Sequence, residues 1–203
     1  MKRKSISLLS VAFITVFIFS MFYTTLNNPS PVLQNQDRSE DITQNNTLIE
    51  EEITPQSAYS PAFLENIQLA EKTARYIYNN RDLVHDGPGL AWRDENGNLS
   101  VTYGEGAVGI GDFFLDLYER TLNNTYLQWA DEVGMWLNYL DGENNVDSLA
   151  RWPLYAGEEL PNNYTGLVEG AAGVGKFLTR LYSKTQNNTY KILSENTAAY
   201  INS

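Results

Sequence analysis

Two glutamates occupy the same place in a repeated stretch, and their spacing could support acid–base chemistry. The stretch beginning at Glu105 reads EGAVGIGDFFLDLYERTLNNTY, and the one beginning at Glu169 reads EGAAGVGKFLTRLYSKTQNNTY. The offset is 64 residues (169 − 105), and 13 of the 22 aligned positions are identical. If both glutamates begin neighbouring helices, roughly 8–10 Å separates them, and inverting glycosidases need about 6.5–9.5 Å between carboxylates. Glu105, Glu169 and the nearby Asp112 are therefore our candidate catalytic residues.

The same glutamates have a structural interpretation. A carboxylate at a helix N-terminus often satisfies free N–H donors, and the helix dipole favours its ionised form, which is a poor general acid. We favour capping over catalysis on this ground, with contact to a polar ligand between the two. The glycines after each glutamate either permit close helix packing or leave bare N–H groups facing a ligand.

The segments before the two glycine-rich stretches also carry aromatic residues. Such rings could stack on a sugar or on a peptide side chain, and the alternative is that they pack locally. Our candidate ligand-binding residues are Trp92, Tyr103, Trp152 and Tyr164.

Helices must position these residues. After each glycine-rich turn, apolar residues recur at i, i+3, i+4, i+7 and i+8, which predicts an amphipathic helix. Asn-Asn-Thr-Tyr then ends that helix and caps the next, so each unit is a helical hairpin. The two units span about residues 88–140 and 150–203, and another helix is predicted at 61–80. Asn96-Gly97 predicts a small β-hairpin before the first unit, and residues 150–166 occupy the equivalent place before the second.

The repeat motif resembles the lanthionine synthetase C-like family over about residues 63–203. The resemblance is carried by Gly106–Gly111 with Phe113, Leu117, Tyr118 and Thr121, and by their equivalents in residues 170–185. It implies an α/α toroid, in which inner helices ring a cavity and outer helices surround them. Six-hairpin glycosidases share this architecture, so the fold alone does not determine the chemistry. The expected fold class is all-α: repeated hairpins of an incomplete toroid.

The resemblance also implies a zinc ion held by two cysteines and a histidine. This chain has no cysteine, and its one histidine, His85, lies outside the repeat. We therefore expect no metal site and no cofactor. A closed toroid needs six or seven hairpins, whereas this chain holds little more than two. A fragment of a longer protein, a degenerate remnant, or a homo-oligomer would each account for that.

The N-terminal residues predict export. Residues 1–5 are basic, and residues 6–26 contain no charge, which is long enough for a transmembrane anchor, with a cleaved signal as the alternative. The basic flank stays in the cytoplasm and the remainder is exported. Residues 27–60 are polar and predict a disordered stalk, and residues 61–203 form the domain.

The composition of the chain limits which classes of binding partner we expect. The net charge of −11 argues against nucleic acid. An exported chain could be glycosylated at its N-x-S/T triplets, which begin at Asn45, Asn98, Asn123, Asn163 and Asn187. The sequence thus predicts a membrane-tethered module that binds a peptide or glycan. The alternatives are a glycoside hydrolase with Glu105 and Glu169 at the cavity mouth, and an oligomeric surface structural protein.

Overall fold

The computed structural model describes residues 60–144, 149–158 and 164–203. Within these ranges the chain forms five α-helices and no β-strand, which confirms the predicted all-α class. The helices are α1 (Pro61–Asn79), α2 (Ala107–Thr121), α3 (Asn124–Asn144), α4 (Ala171–Thr185) and α5 (Asn188–Ile201). No helix in the described part is both long and apolar enough to cross a bilayer. The predicted basic flank, anchor or signal and stalk lie outside the described residues, apart from Ser60.

The helices α2 and α4 have the same length and the same ends. Each follows a glycine N-cap with an extended backbone, Gly106 or Gly170. Each ends at a left-handed residue, Leu122 (φ 53°) or Gln186 (φ 56°). The two sequence repeats therefore adopt the same local structure at both helix ends.

The Asn-Asn-Thr-Tyr motif caps the second helix of each hairpin, as the sequence predicts. The Oδ1 atom of Asn123 accepts a hydrogen bond from the Thr125 N–H, and Asn187 Oδ1 accepts one from the Thr189 N–H, each at 3.0 Å. Such caps satisfy donors that a helix start leaves free.

The hairpins α2–α3 and α4–α5 pack closely because glycine occupies the contact positions. An ideal Cβ on Gly111 would lie 2.7 Å from the Phe177 ring, and one on Gly134 would lie 2.5 Å from Leu181. The helix α2 packs beside α4, α3 packs beside both α4 and α5, and α1 contacts α2. Tyr78 of α1 stacks on Trp129 of α3 with ring centroids 4.2 Å apart.

The preceding segment folds back over the start of α2 and of α4. Backbone carbonyls of that segment accept hydrogen bonds from the first helical N–H groups, which a helix start otherwise leaves free. The four bonds are Ala107 N to Ser100 O (3.0 Å), Val108 N to Val101 O (3.3 Å), Ala171 N to Tyr164 O (3.0 Å) and Ala172 N to Thr165 O (3.3 Å). These N–H groups are therefore not bare donors that face a ligand.

Only glycine fits where these segments cross the helices. An ideal Cβ on Gly109 would lie 2.0 Å from the Tyr103 carbonyl oxygen, and one on Gly173 would lie 2.2 Å from that of Leu167. The packing interpretation of the glycine-rich turns is the one that this geometry supports.

A tyrosine in each hairpin lies close to an acidic residue of the preceding helix. The Tyr190 hydroxyl of α5 donates to Asp131 Oδ1 of α3 at 2.6 Å, and the Glu71 carboxylate of α1 lies near enough to the Tyr126 hydroxyl of α3 to raise its pKa. Both tyrosines end the Asn-Asn-Thr-Tyr motif. The helix α1 thus precedes α3 as α3 precedes α5, with a tyrosine facing an acid at each step.

The predicted β-hairpin before the first hairpin unit is not formed. One antiparallel bridge joins Arg93 to Leu99, and a second joins Ser100 to Tyr155. The partners that a ladder would need are used elsewhere: Val101 N donates to Leu154 O at 2.9 Å, and Leu90 N donates to Glu132 O at 3.0 Å. The equivalent before the second unit is described only in part and shows no strand there.

The contact at Gly109 predicts a large effect of one methyl group. Gly109→Ala should lower the free energy of unfolding by about 1–3 kcal/mol or more, because the Cβ meets a backbone oxygen that cannot move alone. Gly142→Ala in α3 is the control: its Cβ meets nothing within 4 Å, so alanine should stabilise by about 0.5–1 kcal/mol. Urea unfolding of both variants measures the contrast, and equal effects would contradict the close contact.

The raised pKa of Tyr126 predicts that the folded domain loses stability at alkaline pH. Burial, and then the Glu71 carboxylate, raises the pKa of Tyr126 to about 12. The folded pKa is higher than the ordinary value of about 10. The contribution of the neutral Tyr126 hydroxyl to the free energy of unfolding is therefore complete below pH ~10 and is lost as the pH rises towards ~12. Tyr126→Phe should therefore flatten the decline of the urea midpoint across this window, whereas Tyr76→Phe, at an exposed position, should not.

Candidate functional site

A small cavity lies between the starts of α2 and α4, which we call the rim cavity. Its volume is about 70 Å³, and its lining residues are Ser100, Thr102, Gly104, Glu105, Leu154, Tyr155, Val168 and Glu169. The Gly104 N–H donates to the Val168 carbonyl at 2.8 Å and brings the two preceding segments together. Glu105 and Glu169 are thus neighbours across this cavity, as the repeat predicts.

The two glutamates do not cap the helices in this structure. Each N-cap is a glycine, and the first turns of α2 and α4 contain no acidic residue. Both carboxylates are exposed, and neither has a hydrogen-bond or ion-pair partner among the described residues. The backbone carbonyls of the preceding segments take the N–H groups instead, so the carboxylates are free to contact a ligand.

The rim cavity is electronegative. Burial raises the pKa of the Tyr155 hydroxyl, and the carboxylates of Asp94, Glu105, Glu158 and Glu169 raise it further. None of the eight lining residues is basic. A site of this kind attracts cations and hydrogen-bond donors.

Asp112 lies outside the rim cavity, buried between α2 and α4. Its Oδ2 accepts hydrogen bonds from the Tyr103 hydroxyl at 2.6 Å and from Lys176 Nζ at 2.7 Å. Its Oδ1 accepts one from the Arg180 guanidinium. Both oxygens are occupied, so the structure gives Asp112 the role of an ionic link between the two helices.

This ionic link continues along the two helices. Arg180 also contacts Asp116 at 2.7 Å and Glu119 at 3.1 Å, and Lys184 contacts Glu119 at 2.8 Å. Burial raises the pKa of Asp116 despite the nearby Arg180. For Glu119, burial alone would raise the pKa, but the hydrogen bonds and charges of Lys184 and Arg180 outweigh burial and lower the pKa.

The aromatic candidates separate into buried and exposed residues. Trp92 is buried, and its indole N–H donates to the Ile77 carbonyl of α1 at 2.8 Å. Trp152 is buried too, with its N–H on Thr197 Oγ1 of α5 at 2.9 Å. They bond to different helices and are not structural counterparts. Tyr103 belongs to the ionic link. Of the four candidates only Tyr164, 37% exposed, keeps an accessible ring, and it is not one of the residues that line the rim cavity.

Sequence reasoning missed the basic half of the ionic link and the hydroxyls of the rim cavity. A signal for the former was present: Asp112 aligns with Lys176 and Asp116 aligns with Arg180 in the repeat. Opposite charges at equivalent positions on adjacent helices indicate a pair. The hydroxyls of Ser100 and Tyr155 had no comparable signal, because the segments that carry them follow no repeat.

The residues present do not fit the zinc ion that the resemblance implies. The chain has no cysteine, and His85 uses Nδ1 on the Asp82 carbonyl at 3.1 Å. Its Nε2 is buried without a hydrogen-bond partner, and its ring meets the Trp136 ring edge-on. In the described ranges no three His, Cys, Asp or Glu residues lie together as metal ligands.

Comparison with known proteins gives no relative. No family model matches the chain, and no curated protein or solved structure matches it.

The burial of Asp112 predicts that its loss is costly. Asp112→Ala should lower the free energy of unfolding by about 1.5–3 kcal/mol, because it removes the carboxylate that Lys176 and Arg180 share, although Arg180 keeps Asp116 and Glu119. The control is Lys191→Ala, which removes an exposed i,i+4 pair with Glu195 at 3.8 Å and should cost less than about 0.5 kcal/mol. Thermal and urea unfolding check both values, and a small effect at Asp112 would mean that the link contributes little.

Proposed function

We propose that residues 61–203 are part of a lanthionine synthetase C-like α/α toroid, tethered outside the membrane by residues 6–26, that binds a peptide through the rim cavity. Two observations support the toroid part: the two hairpins pack side by side, α2 with α4 and α3 with α5, and Tyr78 of α1 stacks on Trp129 of α3. The binding part depends on one observation, the convergence of the Glu105 and Glu169 carboxylates on a cavity without a basic residue. Zinc chemistry is not part of the proposal, because the ligands for zinc are missing.

The size of the rim cavity selects the kind of group that enters it. Its volume of about 70 Å³ holds about five to seven waters at roughly 10–15 Å³ each. Pockets that enclose a drug-sized ligand measure about 300–1,000 Å³. The cavity therefore accepts one functional group and not a whole sugar ring.

The negative charge of the rim cavity favours a ligand that carries an ammonium group. Two carboxylates flank the cavity, and charge-assisted hydrogen bonds to an ammonium are about twice as strong as neutral ones. The neighbouring Leu167 and Val168 are 52% and 56% exposed and would contact the methylene stem of a lysine. A lysine side chain of an extended peptide fits these features best.

The glycoside hydrolase hypothesis has less support. A catalytic acid usually sits in a dry pocket that keeps it protonated, whereas Glu105 and Glu169 are both exposed. The same cavity leaves no room for sugar rings on both sides of a scissile bond. The oligomeric surface protein remains a third hypothesis, and light scattering of the purified chain tests it.

The proposal predicts how charge removal changes peptide binding. The wild type should bind an N-acetylated peptide with one central lysine at least ~10-fold more tightly than the same peptide with that lysine acetylated, a difference of about 1.4 kcal/mol. The double variant Glu105→Gln, Glu169→Gln should lose this preference, and added salt should weaken it. Isothermal titration calorimetry measures the affinities.

The control variant is Glu195→Gln, an exposed acid on α5 whose nearest cation is Lys191; it should leave the preference intact. Equal affinity of the wild type for both peptides would rule out ammonium recognition. Release of sugar from a glycan by the wild type, lost in the double variant with folding preserved, would favour the hydrolase.

A further inference from the structure

We propose that Asn123 and Asn187 carry N-linked glycans in the folded protein and that Asn98 does not. The inference rests on the proposed export of the domain and is independent of what the rim cavity binds. Three of the five predicted triplets lie in the described residues, and Asn45 and Asn163 lie outside them.

The two triplets at the helix starts expose both groups that a glycosyl transferase must reach. Asn123 and Thr125 are exposed, and so are their equivalents Asn187 and Thr189. The helix cap uses only the asparagine Oδ1, which leaves the Nδ2 nitrogen for modification. At Asn187 the side-chain amide also lies near the Tyr190 hydroxyl. That hydroxyl already donates its proton to Asp131 Oδ1.

The third triplet lacks this access. Its hydroxyl residue, Ser100, is 4% exposed, and its Oγ lies 3.3 Å from Thr102 Oγ1 inside the fold. Asn98 itself holds a turn, because its N–H donates to Asp94 Oδ1 at 2.8 Å and its Nδ2 donates to Asp94 Oδ2 at 3.3 Å. The folded chain therefore hides the Asn98 triplet from a transferase.

The transfer is a substitution at a sugar carbon. The asparagine Nδ2 forms a bond to the anomeric carbon of a glycan carried on a polyprenyl diphosphate. The bond from that carbon to the phosphate oxygen breaks, the lipid diphosphate leaves with the electron pair, and a proton from Nδ2 passes to a base of the transferase. The product keeps its carbonyl oxygen and one N–H, so the helix cap and the contact with Tyr190 both survive.

Both glycans would project from the same edge of the domain. The helix α2 begins at the rim cavity and ends at Thr121, and 15 residues of helix span about 22 Å. Asn123 therefore lies at the far end from the cavity, and Asn187 has the same place after α4. The sugar on Asn123 would cover its neighbour Leu122, which is 71% exposed, and would leave the cavity open.

Glycopeptide mass spectrometry of the full chain, made in a cell whose membrane carries N-glycosylation enzymes, tests the proposal. The folded protein should carry a glycan at Asn123 and at Asn187 and none at Asn98. Thr125→Ala and Thr189→Ala should each remove one glycan without lowering the melting temperature, because alanine keeps the backbone N–H that the cap uses. Asn123→Ala should remove the same glycan and lower the melting temperature as well.

Asn45 reports on export in the same experiment. A glycan at Asn45 with none at Asn123 and Asn187 would overturn this proposal and leave the proposed location intact. No glycan anywhere, together with a domain shielded from external protease, would overturn the location and this proposal with it. Glycans at all three described triplets would overturn the selection by hydroxyl exposure.

Discussion

The approach of one backbone to another at the starts of α2 and α4 is the constraint on which the rest of this structure depends. The carbonyls of Ser100 and Tyr164 reach the first helical N–H groups only because glycine leaves room for them. That contact fixes where the preceding segments run, and it places Glu105 and Glu169 beside each other. It also uses backbone groups that a β-ladder would otherwise need, which explains why single bridges replace the expected hairpin.

The distribution of charge follows from this arrangement. Between α2 and α4 the acids Asp112, Asp116 and Glu119 all meet lysine or arginine side chains. At the rim the two glutamates meet no lysine or arginine of the described residues. The negative charge of the domain is thus compensated where helices pack and is left uncompensated at the cavity, which is where a cationic group gains most from it.

The sequence predicts what is local. Apolar periodicity and the Asn-Asn-Thr-Tyr turn place the helices of both hairpins and their caps, and the repeat alone brings Glu105 and Glu169 together. It does not predict which residues far apart along the chain come into contact. The acceptor of the Trp152 indole, Thr197, lies 45 residues away, and the burial of both tryptophans depends on which helix each one meets. Asp112 was misjudged for the same reason, since its partners come from the other repeat.

The opposite charges at equivalent positions affect how two similar units avoid pairing wrongly. An α2 helix could in principle dock on the α2 helix of another molecule, because both copies present the same apolar residues, and such exchange is a common failure of repeated sequences. Position 112 is acidic and position 176 is basic, so a pair of like helices would bring like charges together and lose the Asp112–Lys176 contact. The charged residues therefore specify which helix pairs with which. The apolar residues that the repeats share stabilise the packing but do not distinguish one unit from the other.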